Sequence, residues 1–279
     1  MTVREAIKLF IHYLQLNHKR RTVDNYRHLL DCFDTAYAGC TVDSVSSEEI
    51  FQFLESLTKS LARTTRRLRY AQLKAFYNFI IVRCSFTIKN PCDAPLLKKS
   101  FRTPRQASRK ILDKEIVDEM IHKTHRLRDR LIMELQARCA LRIGELLNIR
   151  ASDISERTIT LRTPKSGKDT ELAYMPENIS KKLKEYIDNE RLQPEERVFP
   201  SCYSTARSMI KRLGAKLNVK IAPHGRRRYS ATYASRNGVP LEVVSKVILR
   251  HHDLKTTQVY LGRISDVEAI RWMDVLHGR

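Results

Sequence analysis

The sequence contains no run of about 18 apolar residues, the length a helix needs to span a bilayer, so nothing in it reads as a membrane segment. Its first residues, MTVREAIKLFIHYLQ, break their apolar stretch with Glu5 and His12 and offer no small-residue cleavage site, unlike a secretory signal. Glycine and proline are sparse, at 8 and 9 of 279 residues, which excludes collagen-like and linker-dominated chains. The six cysteines (Cys32, Cys40, Cys84, Cys92, Cys139 and Cys202) form no C-x-x-C pair, so there is no zinc-ribbon pattern. Without a leader they read as reduced thiols, and the expected location is the cytoplasm. His122 and His125 stand three apart but lack H-E-x-x-H or a carboxylate at ligand spacing, and read as solvated helix histidines. Gly167-Lys168 lacks the upstream glycine of a phosphate loop. No metal and no cofactor is expected.

Negative charge is short as well. Against 52 Lys+Arg there are 31 Asp+Glu, a net +21 that draws the chain toward polyanions, nucleic acid ahead of membrane surface. The excess is shared: residues 1–105 carry +9 and residues 106–279 carry +12. An even division favours two folded units gripping one anion over a globule with a basic arm. The length fits about two domains, and a chain of this size buries roughly 70–75% of its unfolded surface without staples.

The first third reads as four helices. Ala6, Leu9, Phe10, Tyr13 and Leu14 recur at helical spacing, and Thr22 is a candidate cap for a second helix through Tyr26, Leu29, Leu30 and Phe33. Ser47 precedes a third, with Glu48 and Glu49 in its first turn where the helix dipole favours acids. Leu73, Phe76, Tyr77 and Ile80 form the apolar stripe of a fourth. On another face of that helix lie Arg63, Arg67, Tyr70 and Lys74, with no acidic partner evident in sequence. Such a face suits duplex phosphates, and Arg63, Arg67 and Lys74 are the candidate DNA contacts. Residues 87–110 hold three prolines, a cluster of basic residues and no periodicity, and read as a basic linker. The expected domains are therefore 1–86, helical and DNA-binding, and 111–279.

The second unit opens on Asp113 as a candidate N-cap, continues through a helix over about 127–140, and has a short helix from Ile143 to Ile149. Thr158–Leu161 and Glu171–Met175 alternate like two strands around the turn Thr163–Lys168. Helices resume from Asn178, with breaks near Val198–Pro200 and at Pro223, and Pro240 suits the first turn of another.

Four segments carry chemistry. Ala140-Leu-Arg-Ile-Gly-Glu-Leu-Leu147 sets Arg142 among apolar residues, a costly place unless it meets an anion. Lys165-Ser-Gly-Lys168 is a basic turn. Pro223-His-Gly-Arg-Arg-Arg-Tyr-Ser-Ala-Thr232 places His224 and Arg227 three apart, on one side of a helix start. Leu249-Arg-His-His-Asp-Leu-Lys-Thr-Thr-Gln-Val-Tyr260 ends on a tyrosine nine residues past His251. Together and in this order they resemble the tyrosine recombinase family, of the phage integrase and Xer-like kind, over most of the chain. The box L-R-x-x-E-L is matched by Leu141, Arg142, Glu145 and Leu146; the hairpin lysine by Lys165; H-x-x-R by His224 and Arg227, followed by Ala231 and Thr232; and the last box by His251 and Tyr260.

The resemblance implies a mainly α fold with a small β-sheet, in which a four-helix, SAM-like core-binding domain is joined to an α+β catalytic domain and the two clamp duplex DNA. The chain then opens directly on the core-binding helices, without the extra arm-binding domain of larger integrases. The implied activity is site-specific DNA strand exchange through a 3′-phosphotyrosyl intermediate and a Holliday junction in a tetramer. Tyr260 is implied as nucleophile, Arg142 and Arg227 as phosphate clamps, Lys165 as proton donor to the leaving 5′ oxygen, and His224 and His251 as aids to orientation and proton transfer. The cations take the place of a metal. Three departures stand out: Arg226 where the family usually has Leu, Arg250 where it usually has Gly, and one extra residue between Arg227 and His251, which turns a helix by about 100° unless a bulge absorbs it. Arg226 and Arg228 compete with Arg227 for the clamp, and Lys168 with Lys165. The tail carries Ala269, Trp272, Met273 and Leu276 at helical spacing, for packing in cis or docking on a neighbouring subunit. The alternatives are a catalytically silent DNA-binding protein of the same fold and a type IB topoisomerase-like enzyme.

Overall fold

A capping box starts the chain: Thr2 accepts from Glu5 N–H while the Glu5 carboxylate accepts from Thr2 N–H, opening α1 (Val3–Asn17). The computed structural model describes residues 1–102, 111–162, 164, 169–219, 221, 223–258, 261 and 273–275, with backbone alone at Pro223 and His224. It divides into two units, Met1–Ala107 and Ser108–Arg279.

In the first unit α1 is followed by α2 (Arg20–Tyr37), α3 (Ser47–Thr58) and α4 (Arg63–Arg83). Two caps differ from expectation by sequence. Thr22 lies inside the first turn of α2, whose N-cap is Lys19, because the link from α1 is too short to delay the helix start. Ser46 caps α3, in a box with Glu49. The four helices bury Leu29, Leu30, Phe33, Leu73, Phe76 and Tyr77 completely. Phe33 and Phe76 meet edge to face at 6.2 Å, and Phe10 and Phe76 at 5.6 Å. Each such side chain contributes about 1.5–3 kcal/mol by leaving water.

The stretch expected as a linker is partly corrected. Asn90 caps a 3₁₀ turn (Pro91–Asp93) that leads into α5 (Pro95–Ser100). Cys92, Leu97 and Phe101 join the core of the first unit, and the Phe101 ring stacks on Tyr70 at 5.6 Å. Three anchors at irregular spacing leave no period to read, yet each finds an apolar seat. Residues 103–110 lie outside the described residues.

The second unit is built around α7 (Leu127–Arg138), which is buried continuously from Leu131 to Ala137, its polar Glu134 and Gln136 included. Before it comes α6 (Lys114–His122), with Asp113 at the N-cap position but making no side-chain cap bond. After it come α8 (Ile143–Leu146) and an antiparallel sheet of β1 (Ile154–Ser155), β2 (Thr158–Arg162) and β3 (Thr170–Tyr174), in the order β1-β2-β3. Ile159 faces Ala173, and Leu161 faces Glu171. β1, two residues long, has no sequence signature. The chain continues as α9 (Glu177–Asn189), α10 (Tyr203–Ala215), α11 (Pro223–Arg236) and α12 (Leu241–Val243). Pro240 is the N-cap of α12, which runs into a π-helical turn, Val244–Ile248, before α13 (Leu254–Gln258). No helix among the described residues is long and apolar enough to cross a membrane.

Candidate active site

The turn between α7 and α8 delivers the first cation. Ala140 is buried with φ 50, a left-handed conformation that turns the chain sharply after α7. Arg142 then stands as N-cap of α8. Its N–H donates to Glu145 Oε2 at 2.9 Å, and its Nη1 donates to Glu145 Oε1. One carboxylate thus fixes both the backbone and the guanidinium of Arg142.

α11 supplies the second cation. Arg227 Nη1 donates to Ala140 O and Nη2 to Leu249 O, so one side chain ties the turn before Arg142 to the segment that holds His251. Both carbonyls are buried with it. Its neighbour Arg226 points elsewhere, donating to Gln136 on α7. Of the two, Arg227 alone bonds to the segments carrying Arg142 and His251. Arg228 is partly buried on the same helix.

The third element is the chain from Val244 to Gln258. Leu249 N–H donates to Val244 O at 2.8 Å, an i to i−5 bond characteristic of a π turn. A π turn holds one residue more than the α turn it replaces, and this one lies between Arg227 and His251. Arg250 follows with φ 51, and its buried side chain donates from Nη2 to Glu145 Oε2 at 3.1 Å. His251 Nδ1 pairs with Thr257 Oγ1 at 2.9 Å, and Thr257 Oγ1 donates to Ser245 Oγ at 2.8 Å, all three residues being buried. This relay fixes the imidazole ring between the π turn and α13.

The field at the site is strongly positive. Burial alone would raise the Glu145 carboxyl, but Arg250 and Arg142 outweigh it and hold it below the ordinary carboxylate range. His251 is pushed down to about 4 by burial and by Arg227, Arg142 and Arg250, so the ring is neutral at physiological pH. Arg142 and Arg250 share the Glu145 carboxylate, Arg250 also approaches Glu171, and Arg227 joins both arginines around His251, an arrangement suited to receiving an oxyanion. Among the described residues no group of three His, Cys, Asp or Glu side chains could hold a metal.

The structure therefore brings together Arg142, Arg227 and His251. His224 lies in the first turn of α11, but only its backbone is described. Lys165, Lys168 and Tyr260 lie outside the described residues, as does the tail except for 261 and 273–275. Sequence reasoning saw Arg250 only as a departure and missed Glu171, Ser245 and the role of Thr257. In the first unit Arg63 and Arg67 are exposed, but Lys74 corrects the expectation of a stripe without an acidic partner. Its Nζ is 2.6 Å from Asp93 Oδ1 on the 3₁₀ turn before α5, and Lys98 shares that carboxylate at 2.9 Å.

Comparison with known proteins adds the following. A family described as "Phage integrase family" matches residues 110–272, and "Phage integrase, N-terminal SAM-like domain" matches residues 7–83. The chain is 29% identical over 286 residues to a tyrosine recombinase of Thermosipho africanus, covering 95% of this chain and 96% of that one. It is 27% identical over 228 residues to the tyrosine recombinase XerA of Saccharolobus solfataricus, covering 80% and 76%. Among solved structures, the Tn1549 transposon integrase in complex with a circular intermediate DNA aligns with TM-score 0.77 at 17% identity over 99% of both chains. A lambda integrase tetramer bound to a Holliday junction aligns with TM-score 0.74 at 14% identity, over 95% of this chain and 80% of that one. At these identities the two structures speak for the fold.

Proposed function

Since the chain belongs to the phage integrase family and is a tyrosine-type site-specific recombinase of the Xer-like kind, we propose that it cuts and rejoins duplex DNA through a 3′-phosphotyrosyl intermediate at Tyr260. The observation that carries this reading is Arg227, whose guanidinium bonds Ala140 O and Leu249 O and so holds the Arg142 and His251 segments around one point.

The scissile phosphate sits between Arg142 and Arg227, whose guanidiniums neutralise its non-bridging oxygens and the charge that builds on them. The phenol oxygen of Tyr260 passes its proton to the His224 imidazole and attacks phosphorus. The bond to the 5′ oxygen breaks, and that oxygen takes a proton from the basic turn, from Lys165 or Lys168. A 5′ hydroxyl from the partner duplex then attacks the phosphotyrosyl bond and restores tyrosine, so no external energy source is required. Neutral His251, held by Thr257, orients the phosphate, and His224 assists proton transfer. Exchange of both strand pairs passes through a Holliday junction in a tetramer, with the tail of each subunit docked on its neighbour. Arg63 and Arg67 grip backbone phosphates from the first unit. The protein works in the cytoplasm, where DNA and reducing conditions coincide.

Incubating the protein with a nicked suicide duplex traps the intermediate as a covalent adduct on denaturing gels. Loss of the adduct in Tyr260→Phe is expected; an adduct that survives the substitution sinks the nucleophile assignment.

A further inference from the structure

Arg250 is the residue at this site that neither composition nor motif explains. It holds a left-handed backbone, φ 51, where a residue with a side chain is strained and glycine is not. Its long side chain is nevertheless buried, at 7% exposure, although burying a guanidinium is costly unless it is well paired. The pairs are specific. Nη2 donates to Glu145 Oε2 at 3.1 Å, Nη1 donates to Ile248 O at 3.0 Å, and Nε lies 3.9 Å from Glu171 Oε2 on β3. Glu145 is the carboxylate that fixes Arg142. β3 is the strand that follows the Lys165–Lys168 turn in the chain. Arg250 thus touches the group that sets Arg142, and it approaches the strand leading out of the basic turn, while its own peptide carries His251.

We propose that Arg250 is a positioning residue that locks the Glu145–Arg142 pair and strand β3 to the His251 segment, so that clamp, hairpin and histidine keep one relative geometry. This rests on the recombinase reading above. The link to β3 is the weaker of the two. Neither Glu171 Oε2 nor Arg250 Nε has a hydrogen-bond partner, and both are buried, so the pair is held at a distance from which small movements of β3 make or loosen direct contact. Glycine would relax the backbone but remove the tie; lysine keeps a charge but cannot serve Glu145 and Glu171 as a fork. The charged and titratable groups that face Arg250 are Glu145 and Arg142 from α8, Glu171 from β3, Cys139 from the end of α7, and His251 beside it.

The test uses the full chain and two readouts. Hydrogen exchange, followed by mass spectrometry, is measured on wild type, Arg250→Gly, Arg250→Lys and Glu171→Gln. Exchange is expected to rise roughly tenfold or more in peptides covering β3 and α8 of Arg250→Gly, less in Glu171→Gln, and to stay unchanged in α1–α4. Single-turnover cleavage of the suicide duplex at saturating DNA is expected to slow roughly tenfold or more in Arg250→Gly, with duplex Kd unchanged and partial recovery in Arg250→Lys. In Arg250→Gly/Glu171→Gln the second change adds little to the first, because both break the same tie. Unchanged exchange in β3 and α8 overturns the proposal, whether or not the wild type cleaves. So does a cleavage rate in Arg250→Gly equal to wild type, or a loss of duplex affinity and melting temperature together, which would mark a fold role alone. If wild type forms no adduct while the exchange result holds, the recombinase reading fails and the tie stands.

Discussion

Arg226 is fully buried on α11, its Nη2 donating to Gln136 Oε1, while Nε and Nη1 have no hydrogen-bond partner. Burial pushes its guanidinium down to about 9, several units below the ordinary guanidinium range. At about 1.4 kcal/mol per pH unit, that difference is a cost of about 5 kcal/mol for keeping the charge inside. The sign follows directly. The unfolded chain holds this proton more tightly than the native one, so the cost is complete below about pH 9 and fades only as pH rises from there toward the ordinary guanidinium range. Methionine fills a similar volume without a charge. Arg226→Met strands the buried Gln136 side chain, at about 1–3 kcal/mol, and leaves a net gain of about 2–4 kcal/mol. For a unit of this size that raises Tm by roughly 4–16 °C. Arg226→Met with Gln136→Leu gains more, since both buried polar partners are gone. Calorimetry or chemical denaturation at pH 7 reads the change. Suicide-duplex cleavage by Arg226→Met is expected to match wild type, because this side chain meets α7 rather than the Arg142 turn. A variant less stable than wild type would refute the cost argument, and a variant that folds but fails to cleave would move the clamp from Arg227 to Arg226.

In the first unit, Phe33→Ala removes a fully buried ring that touches Phe53 and Phe76, and is expected to cost about 3–5 kcal/mol in urea denaturation. His251 is depressed to about 4, so the native state resists protonation that the unfolded chain accepts near 6.5; stability is expected to fall as pH drops from 6.5 toward 4, and the His251 imidazole signals in NMR to stay those of a neutral ring at pH 5.5. Duplex binding is expected to weaken steeply with salt. Arg63→Ala and Arg67→Ala should each lower the slope of log K against log salt by about one, while Lys74→Ala, already paired with Asp93, should lower it less; equal slopes in all three would remove the distinction.

The helices of the first unit were legible because Leu73, Phe76, Tyr77 and Ile80 repeat with the helix period, and all four are buried. The strands β2 and β3 were legible from alternation, to within a residue at each end. The seat of α5 was not, since Cys92, Leu97 and Phe101 follow no period and are fixed only by the cavity that receives them. The α3 cap fell one residue earlier than expected: Ser46 and Ser47 carry the same hydroxyl, and Ser46 stands three residues before Glu49, the spacing a capping box needs.

At the site, the sequence by itself determined which residue types are present and in what order: arginine, basic turn, H-x-x-R, histidine, tyrosine. Set beside the family pattern, it also showed one extra residue between Arg227 and His251. It favoured Arg227 through H-x-x-R but left Arg226 and Arg228 as competitors, because residues 226–228 differ only by a rotation of about 100° per step around α11. Only the tertiary structure separated Arg226 from Arg227, by setting Gln136 in front of one and Ala140 O and Leu249 O in front of the other. It alone set a π turn, Val244–Ile248, ahead of His251. It alone made Arg250 a tie between Glu145 and Glu171, because those carboxylates lie 105 and 79 residues away in the chain and meet it only through packing.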